Sequence, residues 1–170
     1  MLKTIKASIP VNAATSGNPM SFLDTIYRYA YSRLGDREEA EDVAIEVVQA
    51  VPSPAAKEDL KLYMLGMARR KVVNRMRRNR SASPLFESDS VQSNGRQVED
   101  SVLVGQVLDH LNPDQREALI CKYVVGLSIQ EISALMERSP EAVESLLQRS
   151  KTAFATRWTR ATGEEIEHGS

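Results

Sequence analysis

Apolar side chains recur at intervals of three and four residues in successive segments of this chain, and no alternating run is long enough to argue for a sheet. That spacing puts the apolar residues on one side of a helix and therefore predicts an all-α protein. In the first half it marks three helices, with stripes Phe22, Leu23, Ile26, Tyr27, Ala30, Tyr31 and Leu34; Ala40, Val43, Ala44, Val47, Val48 and Val51; and Leu60, Met64, Met67, Ala68, Val72 and Met76.

Capping residues indicate where several helices begin. Asp36 with Glu39, and Ser128 with Glu131, match the capping box, and Ser139 precedes Pro140 as at a typical helix start. In the second half these signals delimit four helices, with stripes Val102, Leu103, Val107, Leu108 and Leu111; Leu119, Ile120, Tyr123 and Val124, ended by Gly126; Ile129, Ile132, Leu135 and Met136; and Val143, Leu146, Leu147, Ser150, Phe154 and Trp158.

Two stretches lack this periodicity. The stretch that begins at Ser81 is rich in Ser, Asn and Gly, which predicts a flexible linker, and the first 19 residues look equally loose. The sequence therefore predicts two small helical domains joined by a flexible linker. The boundaries are 1–19 for the flexible N-terminal segment, 20–80 for the first domain, 81–98 for the linker, 99–160 for the second domain and 161–170 for a tail.

Charge is unevenly distributed, although 22 Lys and Arg against 23 Asp and Glu leave a net charge of only -1. Six acids and one base lie between Asp36 and Glu46, whereas eight bases and no acid lie between Lys61 and Arg80. The acidic residues lie on the second predicted helix, residues 36–51, which we call the acidic helix. Its negative charge repels DNA, so its outer face is either simply solvated or docks on a protein. The third predicted helix, which contains residues 61–80 and which we call the basic helix, is expected to bind a polyanion. Nucleic acid is favoured over a membrane surface, because the helix has no bulky apolar face left to insert into lipid.

Residues 127–151 have the spacing of a helix-turn-helix, two capped helices joined by a short turn. In that motif the second helix lays its N-terminal side chains in the major groove. The exposed candidates are Ser139, Glu141, Glu144, Ser145, Gln148, Arg149 and Lys151. An ordinary helical hairpin has the same spacing, and carboxylates at 141 and 144 would repel phosphates, so spacing alone leaves both interpretations open.

Other classes of function find little support. No apolar run is long enough for a membrane-spanning helix, and neither Cys121 nor the separated His110 and His168 offers a disulfide or zinc-ligand pattern. No nucleophilic set or phosphate-binding glycine loop is present. We therefore expect a cytoplasmic protein that is not an enzyme, does not insert into membranes, and has no metal or cofactor.

Four stretches of sequence, in the order in which they occur here, resemble one protein family. They are residues 40–47 (AEDVAIEV), residues 63–80 (YMLGMARRKVVNRMRRNR), and residues 111–117 (LNPDQRE) followed by 126–133 (GLSIQEIS). Together they resemble the extracytoplasmic-function sigma factors of bacterial RNA polymerase. The resemblance implies a subunit that reads the minus-ten and minus-thirty-five elements of promoters.

The resemblance also assigns roles to the segments. It implies core polymerase binding by the acidic helix, through Glu41, Asp42, Ile45, Glu46 and Gln49. It implies promoter melting and minus-ten recognition by Tyr63, Arg69, Arg70, Lys71, Asn74, Arg75, Arg77, Arg78 and Arg80, and minus-thirty-five recognition by the helix-turn-helix residues named above. It also implies promoter DNA, as duplex and as melted strand, and an anti-sigma protein as partners.

Several positions depart from the family pattern. Ile45 stands where Gln is usual, Arg70 where Asn is usual and Glu144 where a basic residue is frequent. Two other functions therefore remain open. One is a dimeric helix-turn-helix transcription regulator, and the other is a sigma-like protein that sequesters another regulator.

Overall fold

A computed structural model describes residues 17–51, 59–82 and 95–163, without the side chains of 81–82 and 95–101. These residues form helices and no strand, which confirms the predicted all-α class. A short 3-10 helix at Pro19–Phe22 precedes seven α-helices, with a π-helix after the fifth. They are α1 (Leu23–Leu34), α2 (Arg37–Ala50), α3 (Leu60–Ala82), α4 (Gly95–Asp109), α5 (Pro113–Leu119), the π-helix (Ile120–Val125), α6 (Ile129–Met136) and α7 (Pro140–Thr162).

Helical structure reaches further than the sequence pattern predicted. α3 continues to Ala82 and α4 begins at Gly95, so both ends of the predicted linker are helical. α7 likewise continues past residue 160 to Thr162. The centre of the linker (83–94), most of the predicted N-terminal segment (1–16) and most of the tail (164–170) lie outside the described residues.

The chain divides into two compact units, of which the first contains α1, α2 and α3 and the second α4, α5 and α7. The core of the first unit is built from buried side chains of all three helices. They are Ile26, Tyr29, Ala30 and Leu34 from α1; Ala40, Val43, Ala44 and Val47 from α2; and Leu60, Met64, Leu65, Ala68 and Val72 from α3. The predicted stripe of α2 is thus largely confirmed.

The inward face of α1 differs from the predicted stripe. Tyr29 is fully buried, whereas Tyr31 is 36% exposed and stacks on Tyr27 at a ring-centroid distance of 5.9 Å. Tyrosines at alternate positions fit either side of a helix, so spacing alone did not identify the buried one. Packing selects the side that also carries Ile26 and Ala30.

The turn between α1 and α2 forms as its sequence predicts. Gly35 ends α1 in the left-handed conformation (φ 71°), which glycine adopts without steric cost. The Asp36 side chain then accepts a hydrogen bond from the backbone N–H of Glu39 at 2.8 Å and caps α2. The acidic helix therefore begins at a fixed point one turn after the end of α1.

The second unit contains a deviation from regular helix at Ile120–Val125, where the hydrogen-bonding pattern is that of a π-helix. The wider turn changes the direction of the side chains that follow. Tyr123, predicted on the apolar stripe with Ile120, is consequently 59% exposed, whereas Ile120 and Cys121 are fully buried. Gly126 ends the segment with φ 80°, as predicted.

Candidate functional site

The outer face of α2 carries polar side chains around one apolar side chain. Glu41, Asp42, Ile45 and Gln49 are all exposed, and Ile45 is 47% exposed. Their spacing of three and four residues places them on neighbouring rows of one helix face. This face is acidic, with an apolar side chain near its centre, and so has the chemistry of a surface that docks on a basic protein surface.

Glu46, predicted with that outer face, is instead tied to the basic helix. One carboxylate oxygen accepts a hydrogen bond from Lys71 Nζ at 2.8 Å and the other from Arg75 Nη2 at 2.7 Å. The hydrogen bond from Lys71 is the main cause that lowers the pKa of Glu46 below its ordinary value, and the positive charges of both partners act in the same direction. Glu46 thus links α2 to α3.

Glu39 makes a second set of contacts between α2 and α3. Its backbone carbonyl accepts a hydrogen bond from Arg75 Nη1 at 3.0 Å, and its carboxylate accepts one from Asn79 Nδ2 at 3.3 Å. The capping box predicted at Asp36 is therefore only half formed in the described contacts, because the carboxylate of Glu39 is engaged with Asn79. Since Arg75 bridges to both Glu39 and Glu46, its side chain is only 12% exposed.

The predicted basic residues of α3 are therefore found in three settings. Lys71 and Arg75 contact α2. Tyr63 and Arg69 are partly buried. The exposed members are Arg70, Asn74, Arg77, Arg78 and Arg80. We call these five the outer row, because residues 70, 74, 77 and 78 follow one another at steps of one, three and four along α3.

The helix-turn-helix is closed by side-chain caps at the start of both helices. Ser128 Oγ accepts a hydrogen bond from the backbone N–H of Glu131 at 3.1 Å, and the Glu131 carboxylate accepts one from the backbone N–H of Ser128 at 2.8 Å. Ser139 caps α7 by accepting a hydrogen bond from the backbone N–H of Ala142 at 3.1 Å. The caps satisfy backbone donors that water would otherwise have to reach.

The predicted reading face of α7 is exposed along its length. All seven candidate residues are exposed: Ser139, Glu141, Glu144, Ser145, Gln148, Arg149 and Lys151. Val143, Leu146, Leu147 and Ser150 are buried on the other side of the helix. The structure thus gives α7 one free polar face, as a helix that enters a DNA groove requires.

Sequence reasoning missed two ion pairs of α5. Arg138, in the turn before α7, pairs with Asp114 of α5, and Arg116 of α5 pairs with Asp109 of α4 at 2.6 Å. Glu137 adopts a left-handed conformation (φ 55°), which is uncommon for a residue with a side chain. The ion pairs join residues of separate elements, so no local sequence signal reveals them.

Tyr123 is a further exposed residue that the stripe pattern missed. The ammonium group of Lys151 lies 6.0 Å from the centre of the Tyr123 ring, within the range of a cation–π contact. The contact connects the π-helix to the exposed face of α7.

Comparison with known families identifies both halves of the chain. The model for Sigma-70 region 2 matches residues 20–82, and the model for Sigma-70, region 4 matches residues 101–154. Together these matches cover more than half of the chain, in the predicted order. The chain belongs to the sigma-70 family. In this sigma-70 chain α1 to α3 lie in region 2, and the helix-turn-helix lies in region 4.

Individual proteins are also similar to this chain. The chain is 27% identical over 148 residues to the ECF RNA polymerase sigma factor BldN of Streptomyces coelicolor, a match that spans 79% of the chain. The match covers 56% of the length of that relative. Among solved structures, the sigma factor RpoE in complex with the anti-sigma factor NepR from Bartonella quintana has a TM-score of 0.66 at 18% identity, covering 81% of this chain and 92% of that one. The solved structure supports the fold alone.

Two further observations bear on the sigma-70 chain. Within residues 17–51, 59–82 and 95–163, no helix is both long and apolar enough to cross a membrane. The same part of the chain contains no cluster of three or more His, Cys, Asp or Glu side chains that could hold a metal ion.

Proposed function

We propose that this protein is a sigma factor that binds core RNA polymerase and directs promoter-specific initiation. The observation that carries the proposal is the ordered presence of both sigma-70 regions in one chain. Region 2 then supplies an acidic face for a protein and a basic row for a nucleic acid, and region 4 supplies a helix-turn-helix. The protein is not an enzyme in its own right, since the polymerase performs the transcription chemistry.

Core polymerase docks on the outer face of α2 in this proposal. Asp42 and Ile45 are exposed side by side with Glu41 and Gln49. Such a surface combines charge attraction with one apolar contact, which fits a basic partner surface. Glu46 is not part of this docking face in our proposal, since both of its carboxylate oxygens contact α3.

The outer row of α3 captures the opened minus-ten strand. Arg70, Arg77, Arg78 and Arg80 can neutralise phosphates along a single strand, and Asn74 offers an amide that can hydrogen-bond to a base edge. α7 reads the minus-thirty-five duplex through Gln148 and Arg149, whose side chains are long enough to reach bases. Phosphate contacts position the DNA, and the base contacts select its sequence.

Regulation by an anti-sigma protein belongs to the same proposal. The solved structure with the similar fold is a complex of a sigma factor with an anti-sigma factor. We expect such a protein to cover the outer face of α2 and so exclude core polymerase. Addition of that protein in equimolar amount would then abolish initiation.

Initiation with sigma-free core polymerase tests the function directly. Purified protein and core polymerase are mixed with a pool of duplex templates that carry random upstream sequences, and the 5′ ends of the transcripts are mapped. We expect starts that share two upstream elements at a fixed spacing. A dimeric regulator or a sequestering protein would bind a partner but would give no such starts with core polymerase, and that result would overturn the proposal.

A matched pair of variants tests the docking face in the same assay. Asp42→Lys places a positive charge on the outer face, and we expect core binding to weaken about tenfold or more, since like charges across an interface cost several kcal/mol. Asp24→Lys makes the same charge change at an exposed position of α1. Equal core affinity for the two variants would remove the docking assignment.

A further inference from the structure

Two cations of the basic helix are already paired with an acid of the same domain. The Lys71 Nζ and Arg75 Nη2 atoms each donate to a different oxygen of Glu46, at 2.8 and 2.7 Å. Arg75 also donates to the backbone carbonyl of Glu39. The carboxylate of Glu46 thus occupies these two side chains much as a phosphate group would.

We propose that Glu46 withholds Lys71 and Arg75 from nucleic acid, so that the melted strand is held by the outer row alone. The inference rests on the proposed function, because it concerns how region 2 binds that strand. It assigns Glu46 to the control of strand binding rather than to direct contact with the polymerase.

Burial supports this division of the basic helix. The side chain of Arg75 is only 12% exposed, and that of Lys71 is 36% exposed. Both are held by Glu46, so a phosphate would have to compete with that carboxylate for them. By contrast, Arg70 and Arg78 are exposed. A strand that binds Arg70 and Arg78 forms those ion pairs without displacing Glu46 from Lys71 and Arg75.

Salt dependence of strand binding measures how many cations take part. The logarithm of affinity for a single strand falls with the logarithm of salt concentration by about 0.7 per phosphate neutralised. The probe is a single-stranded DNA oligonucleotide, titrated with the full chain at several salt concentrations. In the Glu46→Gln variant Lys71 and Arg75 become available, and we expect the slope to steepen by up to about 1.4, the contribution of two phosphates.

Glu38→Gln is the matched control, since it removes the same charge from an exposed position of α2. We expect its slope to stay close to that of the unmodified protein. Equal slopes for Glu46→Gln and Glu38→Gln would overturn the inference, because the effect would then be one of net charge alone. Thermal melting by circular dichroism checks that both variants keep the fold.

Lys71→Met gives a second measurement that does not depend on Glu46→Gln alone. In the unmodified protein this change should leave the slope unaltered, whereas in the Glu46→Gln background it should lower the slope by about 0.7. An equal loss in both backgrounds would show that Lys71 already contacts the strand and would overturn the inference. If the affinity of the unmodified protein for the oligonucleotide did not depend on salt, the proposed binding of the melted strand by α3 would be wrong. The inference about Glu46 would then be wrong as well.

Discussion

Ser128 and Glu131 cap each other at the start of α6, each side chain accepting a hydrogen bond from the backbone N–H of the other residue. Glu131 is only 4% exposed, so water cannot readily replace its carboxylate. The two hydrogen bonds fix the point at which the helix-turn-helix begins. The capping box visible in the sequence is therefore fully formed here.

Replacement of Glu131 by Ala should lower the free energy of unfolding by about 0.5–2 kcal/mol, the range for N-cap residues replaced by Ala. Denaturant unfolding followed by circular dichroism measures the change. Gln130→Ala, at an exposed position of the same helix, should stay within about 0.5 kcal/mol of the unmodified protein. Similar losses in both variants would mean that the cap contributes no more than an ordinary surface side chain.

Replacement of Glu137 by Gly should stabilise the protein by up to about 1 kcal/mol, because a left-handed backbone is costly for residues with a Cβ atom. The melting temperature measures the effect. Ala134→Gly places glycine inside α6 and should instead destabilise by about 1 kcal/mol. A loss of stability in Glu137→Gly would show that the side chain, rather than the backbone, determines the conformation of the turn.

The contribution of Glu46 to stability should depend on pH. Its pKa is lowered in the folded protein, so the contribution is fully present above the ordinary value of 4.5 and is lost as pH falls through the lower folded value. The difference in unfolding free energy between the unmodified protein and Glu46→Gln should therefore shrink as pH falls below 4.5. Exposure of the pair to solvent keeps this difference small.

The same comparison in a Lys71→Met background isolates the cause of the pH dependence. Lys71 supplies the main hydrogen bond that lowers the pKa of Glu46. Without it, the pH-dependent part of the difference should decrease. A difference that stays constant across the acid range in both backgrounds would contradict the role given to the pair.

Replacement of Gln148 and Arg149 by Ala should change which upstream duplex is preferred, while use of a premelted minus-ten template should stay nearly intact. Each good bidentate contact to a base is worth about 1–3 kcal/mol of discrimination. Initiation on duplex and on premelted templates measures the two effects separately. Arg157→Ala, an exposed arginine further along α7, is the control for loss of positive charge. An unaltered preference in the double variant would argue against base reading by α7.

Helix caps and apolar periodicity, which involve residues close in sequence, predicted most of the helices of this protein. Contacts between residues far apart in sequence were not predicted. Asp36 and Ser139 act as caps because a cap needs only a side chain and the backbone two or three residues ahead. The exposed face of α7 follows in the same way from helical periodicity. By contrast, the contact of Glu46 with Lys71 joins residues 25 positions apart, and the contact of Glu39 with Asn79 joins residues 40 apart.

The π-helix shows a different limit of sequence reasoning. Over six residues, apolar spacing does not distinguish a π-helix from an α-helix, so the stripe pattern wrongly predicts that Tyr123 is buried. Similarly, the predicted stripe of α1 contains Tyr27 and Tyr31 and omits Tyr29, although Tyr29 is fully buried and Tyr31 is exposed. Both errors concern the side of a helix rather than its existence.

The position of α2 between two sets of contacts has a mechanical consequence. Asp42 and Ile45 point to one side of it, while Glu39 and Glu46 tie another side to α3. Successive residues of a helix are turned by about 100°, so these two sides lie next to each other rather than opposite each other. A protein seated on the outer side would therefore lie beside α3, at an angle that is set within the domain before any partner arrives.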